Sequence, residues 1–281
     1  MGDNSKIEWT DTTWNPILGC AKVSEGCRNC YAMRVVHRLA SNPNEKIAAA
    51  NAGLTKMTSH GAEWTGAVRL IPERLDQPAR WKRPRMIFVN SLSDIGHPDL
   101  PREDVMKIVA AMADADHHTF QVLSKRANNL RSIINEAYDR FPYRMGHVWW
   151  GVTVENQEAA EERLGDLLAA RRGEAGGVSH VRWASVEPLL GEVDLRPWLG
   201  VDGLSWVVVG GESGPGARPM DLAWVVDVVK QCQAAGVPVF FKQGSQANWI
   251  DFKNFDAVPK KVRVRQWPRL PKTVSDCFAQ I

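Results

Sequence analysis

Apolar and polar positions along this chain fall into short β-prone runs that alternate with longer amphipathic stretches. The first run, Thr12–Leu18, leads from a polar start into a glycine- and cysteine-bearing loop at 19–31. Tyr31–Ala40 has helical spacing, and Ser41-Asn-Pro-Asn44 breaks it. Glu45–Lys56 is alanine-rich and reads as helix, and Gly66–Ile71 reads as a short strand. Pro72 opens a helix to about Trp81, because proline is tolerated at the first helical position. From Met86 the alternation becomes regular. Met86–Asn90 is followed by a helix over Arg102–Asp114, Thr119–Leu123 by Ala127–Tyr138, and His147–Val152 by Gln157–Arg171. His180–Ala184 is a further strand, Ser205–Val209 is followed by a helix over Leu222–Ala235, and Pro238–Phe241 is the last strand. Such alternation predicts a parallel sheet, with about eight strands once the first two runs are counted. Trp206–Val209 is apolar throughout, as a strand covered on both faces must be.

The strand ends narrow the architecture. Asn90 and Ser91, Ser124-Lys125-Arg126, Thr153 with Glu155 and Asn156, Ser185 with Glu187, Glu212 with Ser213, and Lys242 with Gln243 each follow an apolar run. In a closed barrel all such ends meet at one mouth, whereas an open doubly wound sheet uses only a few of them. The expectation is therefore a complete or nearly complete (β/α) barrel of TIM type over residues 1–245. Its parallel strands carry the cysteine loop at the C-terminal face, and a basic, aromatic extension over 246–281 packs on the barrel. Buried charges need partners, so at least three of Lys125, Glu187, Glu212 and Lys242 are expected to face the cavity.

Composition changes this picture little. With 281 residues, 44% hydrophobic and 24% charged, the chain is an ordinary globular protein. No apolar run reaches membrane-spanning length, and the expectation is a soluble, cytoplasmic protein. A net charge of +3 neither demands nor excludes a nucleic-acid partner. The five cysteines argue for a reducing compartment, because they are odd in number and three of them cluster. Cys232 lies in an amphipathic helical pattern and reads as core.

The three clustered cysteines carry the chemistry. Cys20, Cys27 and Cys30 follow a C-x6-C-x2-C spacing, with Gly19 and Gly26 free to turn the sulfurs inward. Structural zinc usually takes four protein ligands, whereas a three-cysteine iron–sulfur cluster leaves one iron open. His37 would stand about 10 Å from Cys30 along a helix, too far to share an ion. Zinc completed by a ligand from elsewhere is the alternative, and ordinary buried thiols are the bland reading.

The words G-C-x6-C-x2-C-Y, F-V-N-S-L-S-D, L-S-K-R, S-V-E-P-L-L-G, V-G-G-E-S-G and F-F-K-Q recur from Cys20 to Gln243. Together they resemble a phage-associated family of unknown function with a three-cysteine motif, itself similar to the radical S-adenosylmethionine superfamily. That resemblance implies a [4Fe–4S] cluster on Cys20, Cys27 and Cys30 whose fourth iron chelates S-adenosylmethionine. An external electron donor would then drive cleavage to a 5′-deoxyadenosyl radical. The first cysteine gap is three residues longer than the superfamily's, Asn29 stands where an aromatic is common, and Gly210-Gly211-Glu212 follows a late strand instead of an early one.

Read from the residues, Glu212 can accept from an ammonium and Ser213 from a ribose hydroxyl. Gly210 and Gly211 admit a ligand to the backbone, with Asn90 and Ser124 beside them. Lys125, Glu187 and Lys242 are the candidate catalytic groups, although the lysines can equally pair with Glu187 and Glu212. Asp94 and His97 follow Asn90 and can reach the mouth, or His97-Pro98 is only a turn. Trp249 and Trp267 flank the basic run from Lys260 to Arg269, a pattern that suits single-stranded nucleic acid or fits a simple edge strand. Three functions follow: a radical enzyme acting on nucleic acid or a nucleotide, a zinc-stabilised barrel with a hydrolytic or binding role, and a non-catalytic nucleic-acid binder.

Overall fold

The order in which apolar runs leave the sequence is the order in which they lie in space. The computed structural model describes residues 5, 7–171, 181–245, 247 and 258–268. Its first elements are β1 (Thr12–Trp14), β2 (Ile17–Leu18), α1 (Tyr31–Leu39), α2 (Glu45–Asn51), β3 (Thr55–Thr58), β4 (Gly61–Trp64), β5 (Arg69–Leu70) and α3 (Gln77–Arg80). Then come β6 (Met86–Val89), α4 (Arg102–Asp114), β7 (Thr119–Ser124), α5 (Ala127–Arg140), β8 (Val148–Thr153) and α6 (Gln157–Ala169). The last are β9 (Arg182–Val186), β10 (Trp206–Gly210), α7 (Leu222–Ala234) and β11 (Val239–Gln243). Among the described residues no helix is long and apolar enough to cross a membrane.

β1, β6, β7, β8, β9, β10 and β11 form one seven-stranded sheet in that order, every neighbouring pair parallel. Alternation sends Ile87, Val122, Val152, Ala184, Val207 and Phe241 outward against the helices. Phe88, Trp149, Trp183, Trp206 and Phe240 point to the other face, where they form an aromatic layer around Trp9. The Trp9 ring stands 4.9 Å from Phe88 on β6, 5.3 Å from Trp183 on β9 and 6.0 Å from Trp206 on β10. One side chain can touch strands so far apart in the sheet only because the sheet curls around it. Gly151 makes this layer possible, since a Cβ there would lie 2.5 Å from the Trp183 indole.

The curled sheet is a partial barrel and corrects the expectation of a complete or nearly complete one. β1 and β11 do not pair. The outer edge of β11 is instead taken by the C-terminal stretch. Phe241 donates its N–H to Val264 at 2.8 Å and Gln266 donates to Val239 at 3.0 Å, an antiparallel contact that blunts the exposed edge. Arg265 then reaches across to Glu8 at 2.9 Å, just ahead of β1. Trp267 packs its ring 4.9 Å from Phe240, whereas Trp249 lies outside the described residues.

Local breakers explain the other differences. Pro16 interrupts the first run because proline offers no N–H to a ladder, so β2 leaves the sheet and pairs antiparallel with β5. The Gly66–Ile71 run is therefore not a barrel strand. Gly53 sits at φ +74°, open to glycine and strained for other residues. The helix expected to run to Lys56 stops at Asn51, and Thr55–Thr58 becomes half of the β3–β4 hairpin. His180 lies outside the described residues, and β9 begins at Arg182 and runs through Val186.

Candidate active site at the C-terminal edge of the sheet

Above the tryptophan layer, at the C-terminal ends of the strands, lies a cavity of about 230 Å³. It is lined by all three loop cysteines, together with Asn90, Ser124, Lys125, Glu187, Gly211, Glu212, Ser213 and Lys242. Gly210 belongs to β10 and is not part of the lining. Gly211 lacks a side chain for a packing reason, because a Cβ there would meet the Ser245 backbone nitrogen at 2.4 Å. His97 stays out of the cavity: its Nδ1 accepts the Asp99 N–H at 3.3 Å, closing the turn at Pro98.

Two glycines fix the cysteine loop. Gly19, at φ +91°, would drive a Cβ to 2.1 Å from the Ala67 carbonyl oxygen, and Gly26 would drive one to 2.3 Å from Glu155 Cγ. The chain makes a single helical turn over Glu25–Cys27 and enters α1 directly after Cys30. Cys27 is buried, while Cys20 and Cys30 are half-buried. Burial pushes the Cys20 thiol up to about 12, the Asp94 carboxylate adding to the rise and Arg126 opposing it. Cys30 is raised by burial first and also by Cys27.

Whether this set suits an iron–sulfur cluster divides into kind and placement. In kind it fits: three soft sulfur donors face one cavity, with Arg126 Nη1 3.9 Å from the Cys20 sulfur and Lys125 near Cys30 to offset thiolate charge. In placement the sulfurs line the wall without being gathered. Among the described residues no group of three or more His, Cys, Asp or Glu side chains is drawn together as a ready metal site. Loading would require the loop to draw its sulfurs inward, with proton release from raised thiols.

The charged strand-end residues pair with one another. Glu155 is the centre of the deepest network: Oε1 accepts from Ser24 of the cysteine loop at 2.7 Å and from Lys125, and Oε2 accepts from buried Arg163 at 2.8 Å. Burial pushes its carboxyl up, but Lys125 and Arg163 outweigh that and hold it below the ordinary range. Asp94 accepts from Ser124 at 2.6 Å and from Arg126 at 2.8 Å. Lys242 donates to Glu187, both side chains being 17% exposed. Glu212 does not wait for an ammonium. Its Oε1 accepts from Arg218 at 2.7 Å and its Oε2 from Asn29 at 2.9 Å. Burial raises its carboxyl, and these partners bring it down. Arg218 also donates to the Glu25 carbonyl at 3.0 Å, strapping the Gly-Gly-Glu-Ser-Gly loop onto the cysteine loop.

Sequence reasoning overlooked Arg163, Arg218 and Trp9. Arg163 is hidden in a polar-looking helix face, and Arg218 lies past two glycines with no periodicity to mark it. Trp9 sits in a lead too short to show a pattern.

Fold and site together describe an α/β protein with a curled parallel sheet, at whose C-terminal edge one cavity is lined by three loop cysteines and a ring of paired charges. The chain belongs to a protein family of unknown function, DUF5131, whose model matches residues 4–271. Searches among curated proteins and among solved structures return no match.

Proposed function

We propose that this chain is an iron–sulfur enzyme of the radical S-adenosylmethionine type, acting on a nucleic acid or nucleotide. The observation that supports it best is that Cys20, Cys27 and Cys30 line the same cavity as the strand-end polar groups. When bound, a [4Fe–4S] cluster and S-adenosylmethionine would supply a 5′-deoxyadenosyl radical able to take a hydrogen atom from substrate. The chain's own side chains do the remaining work. The three cysteines are the ligands, and Arg126 and Lys125 balance their charge. Tyr31, exposed beside Cys30, is held over the cavity by its hydroxyl, which donates to the Ser91 carbonyl at 3.1 Å. Lys125 is committed to Glu155, so the Lys242–Glu187 pair is the freer group to hold a proton or a phosphate oxygen beside the substrate.

Anaerobic purification, iron and sulfide reconstitution, and incubation with S-adenosylmethionine and dithionite test this reading. Brown protein with about four irons and four sulfides per chain that releases 5′-deoxyadenosine is the expected result. Cys20→Ala, Cys27→Ala and Cys30→Ala should each lose both properties, whereas Cys232→Ala, in the outer core, should keep both. A colourless protein holding one zinc, or full turnover in any of the three loop variants, would overturn the assignment.

A further inference from the structure

Every charged side chain that lines the cavity has a protein partner: Asp94 with Arg126, Lys125 with Glu155, Glu187 with Lys242, and Glu212 with Arg218. The lining is therefore electrically balanced, and the surplus cations lie just outside it. Helix α1 buries Ala32, Met33 and Val36 and turns Tyr31, Arg34 and Arg38 to solvent, the i, i+3, i+7 spacing of one helix face. That face starts at the cavity, which Tyr31 lines, and runs about 10 Å along the axis to Arg38. Arg34 stands at the mouth as well: a Cβ on Gly214, next to the lining residue Ser213, would meet its Nη2 at 2.3 Å. Arg28, exposed between the lining residues Cys27 and Asn29, adds a third cation on the cysteine loop. None of the three arginines has a carboxylate in ion-pair reach among the described residues. Glu25, the exposed acid on the same loop, is matched by Arg218 at 3.5 Å.

What surrounds these cations decides the partner. Residues 20–64 hold six Lys and Arg against three Glu, an excess equal to the +3 of the whole chain. Six large apolar side chains are exposed among the described residues, and two of them, Val23 and Tyr31, each 42% exposed, line this one cavity. The Tyr31 ring is held in place, because its hydroxyl is tied to the Ser91 carbonyl. A fixed, open aromatic ring beside a row of free cations suits a single strand, whose bases stack on the ring while its phosphates follow the charge. A duplex cannot place a base in a recessed cavity without flipping it out. A free nucleotide at the mouth would leave Arg38, about two helical turns from Tyr31, with nothing to bind. We infer that α1 and the cysteine loop form a landing face for single-stranded nucleic acid. Tyr31 stacks on a base at the mouth, and Arg28, Arg34 and Arg38 take the phosphates that lead away from it. The inference deepens the reading above by choosing a strand over a free nucleotide, and it rests on this cavity being the substrate site. Binding to the face itself needs no iron.

Fluorescein-labelled oligo(dT) and oligo(U) of equal length are the probes, added to the full chain as purified and followed by anisotropy at about 50 and about 200 mM salt. Three phosphate contacts on a single strand give a slope of about −2 in log K against log salt, so binding should weaken about twentyfold over that range. Arg28→Gln, Arg34→Gln and Arg38→Gln should each make the slope shallower by about 0.7. Arg83→Gln, which removes an exposed cation ahead of β6 at the opposite end of the sheet, should leave it unchanged. Tyr31→Leu keeps apolar bulk without the ring face and should weaken both strands about fivefold or more, the low end for one stacked base. Tyr31→Phe should stay closer to the native chain. A difference between the two probes names the sugar that is read, and equal binding assigns the face to phosphate and base alone. No binding, a blunt duplex bound as tightly as the strands, arginine variants no different from Arg83→Gln, or unchanged affinity in Tyr31→Leu would overturn the face. Colourless protein that still binds strands in this way would sink the radical enzyme and keep the face. Brown protein that cleaves S-adenosylmethionine and ignores strands would do the reverse.

Discussion

Glu155→Gln isolates the deepest charge network. Glu155 and Arg163 are each 2% exposed in their side chains, and Lys125 is 19% exposed. Glutamine keeps the shape but removes the one buried anion, leaving two cations facing a neutral amide. Lys125 can turn toward solvent. Arg163 cannot, and its other carboxylate neighbour, Glu162 at 3.3 Å, is 62% exposed and offsets little. Removing one member of a buried pair costs about 3–5 kcal/mol; with one cation able to escape, the lower end applies, about 3 kcal/mol. With a urea slope of about 3 kcal/mol per molar, the unfolding midpoint should fall by about 1 M at neutral pH. Glu155 is held below its ordinary value of 4.5, so its stabilisation is fully present above that value and is lost as pH falls through the folded one. The gap between native and variant midpoints should therefore close in acid. Arg163→Met added to Glu155→Gln should cost less than the two single changes summed, because the stranded cation is gone. A neutral-pH shift below about 0.3 M, or single effects that simply add, would refute the account of a buried coupled trio.

Gly151→Ala should lower stability by about 1–3 kcal/mol through overpacking against Trp183 and should change the tryptophan fluorescence; unaltered emission and midpoint would contradict the described aromatic layer. Arg218→Met removes both guanidinium bonds to Glu212 and the tie to Glu25, so limited proteolysis should cut the 212–218 loop sooner and stability should drop by about 3 kcal/mol. Unchanged cleavage would show that the strap is not held by this arginine.

The alternation from Met86 onward was readable because the strands are mostly apolar and buried and the helices between them are amphipathic, which are local properties. The sheet's openness was not. Whether β1 meets β11 depends on which segment reaches that edge first, and Arg265, Gln266 and Val264 compete for it from far along the chain. The strand-end charges announced a cavity because long ionised side chains directly follow apolar runs. Their partners stayed hidden. Glu212 looks like a ligand acceptor in sequence, and only the fold brings Arg218 and Asn29 to it. Trp9 shows the limit most clearly: a residue that organises the inner face stands in a stretch with no periodicity at all.

Because each strand of the main sheet lies beside the one before it, the sheet can zip up from one end as synthesis proceeds. The contact between Arg265 and Glu8 comes last and reaches back almost to the beginning, as a clasp does on a bracelet. Until residues 263–266 emerge, a nascent chain carries an unguarded ladder of amides on its newest strand. A released chain cut short after Gln243 would thus present a nearly finished sheet with an adhesive edge.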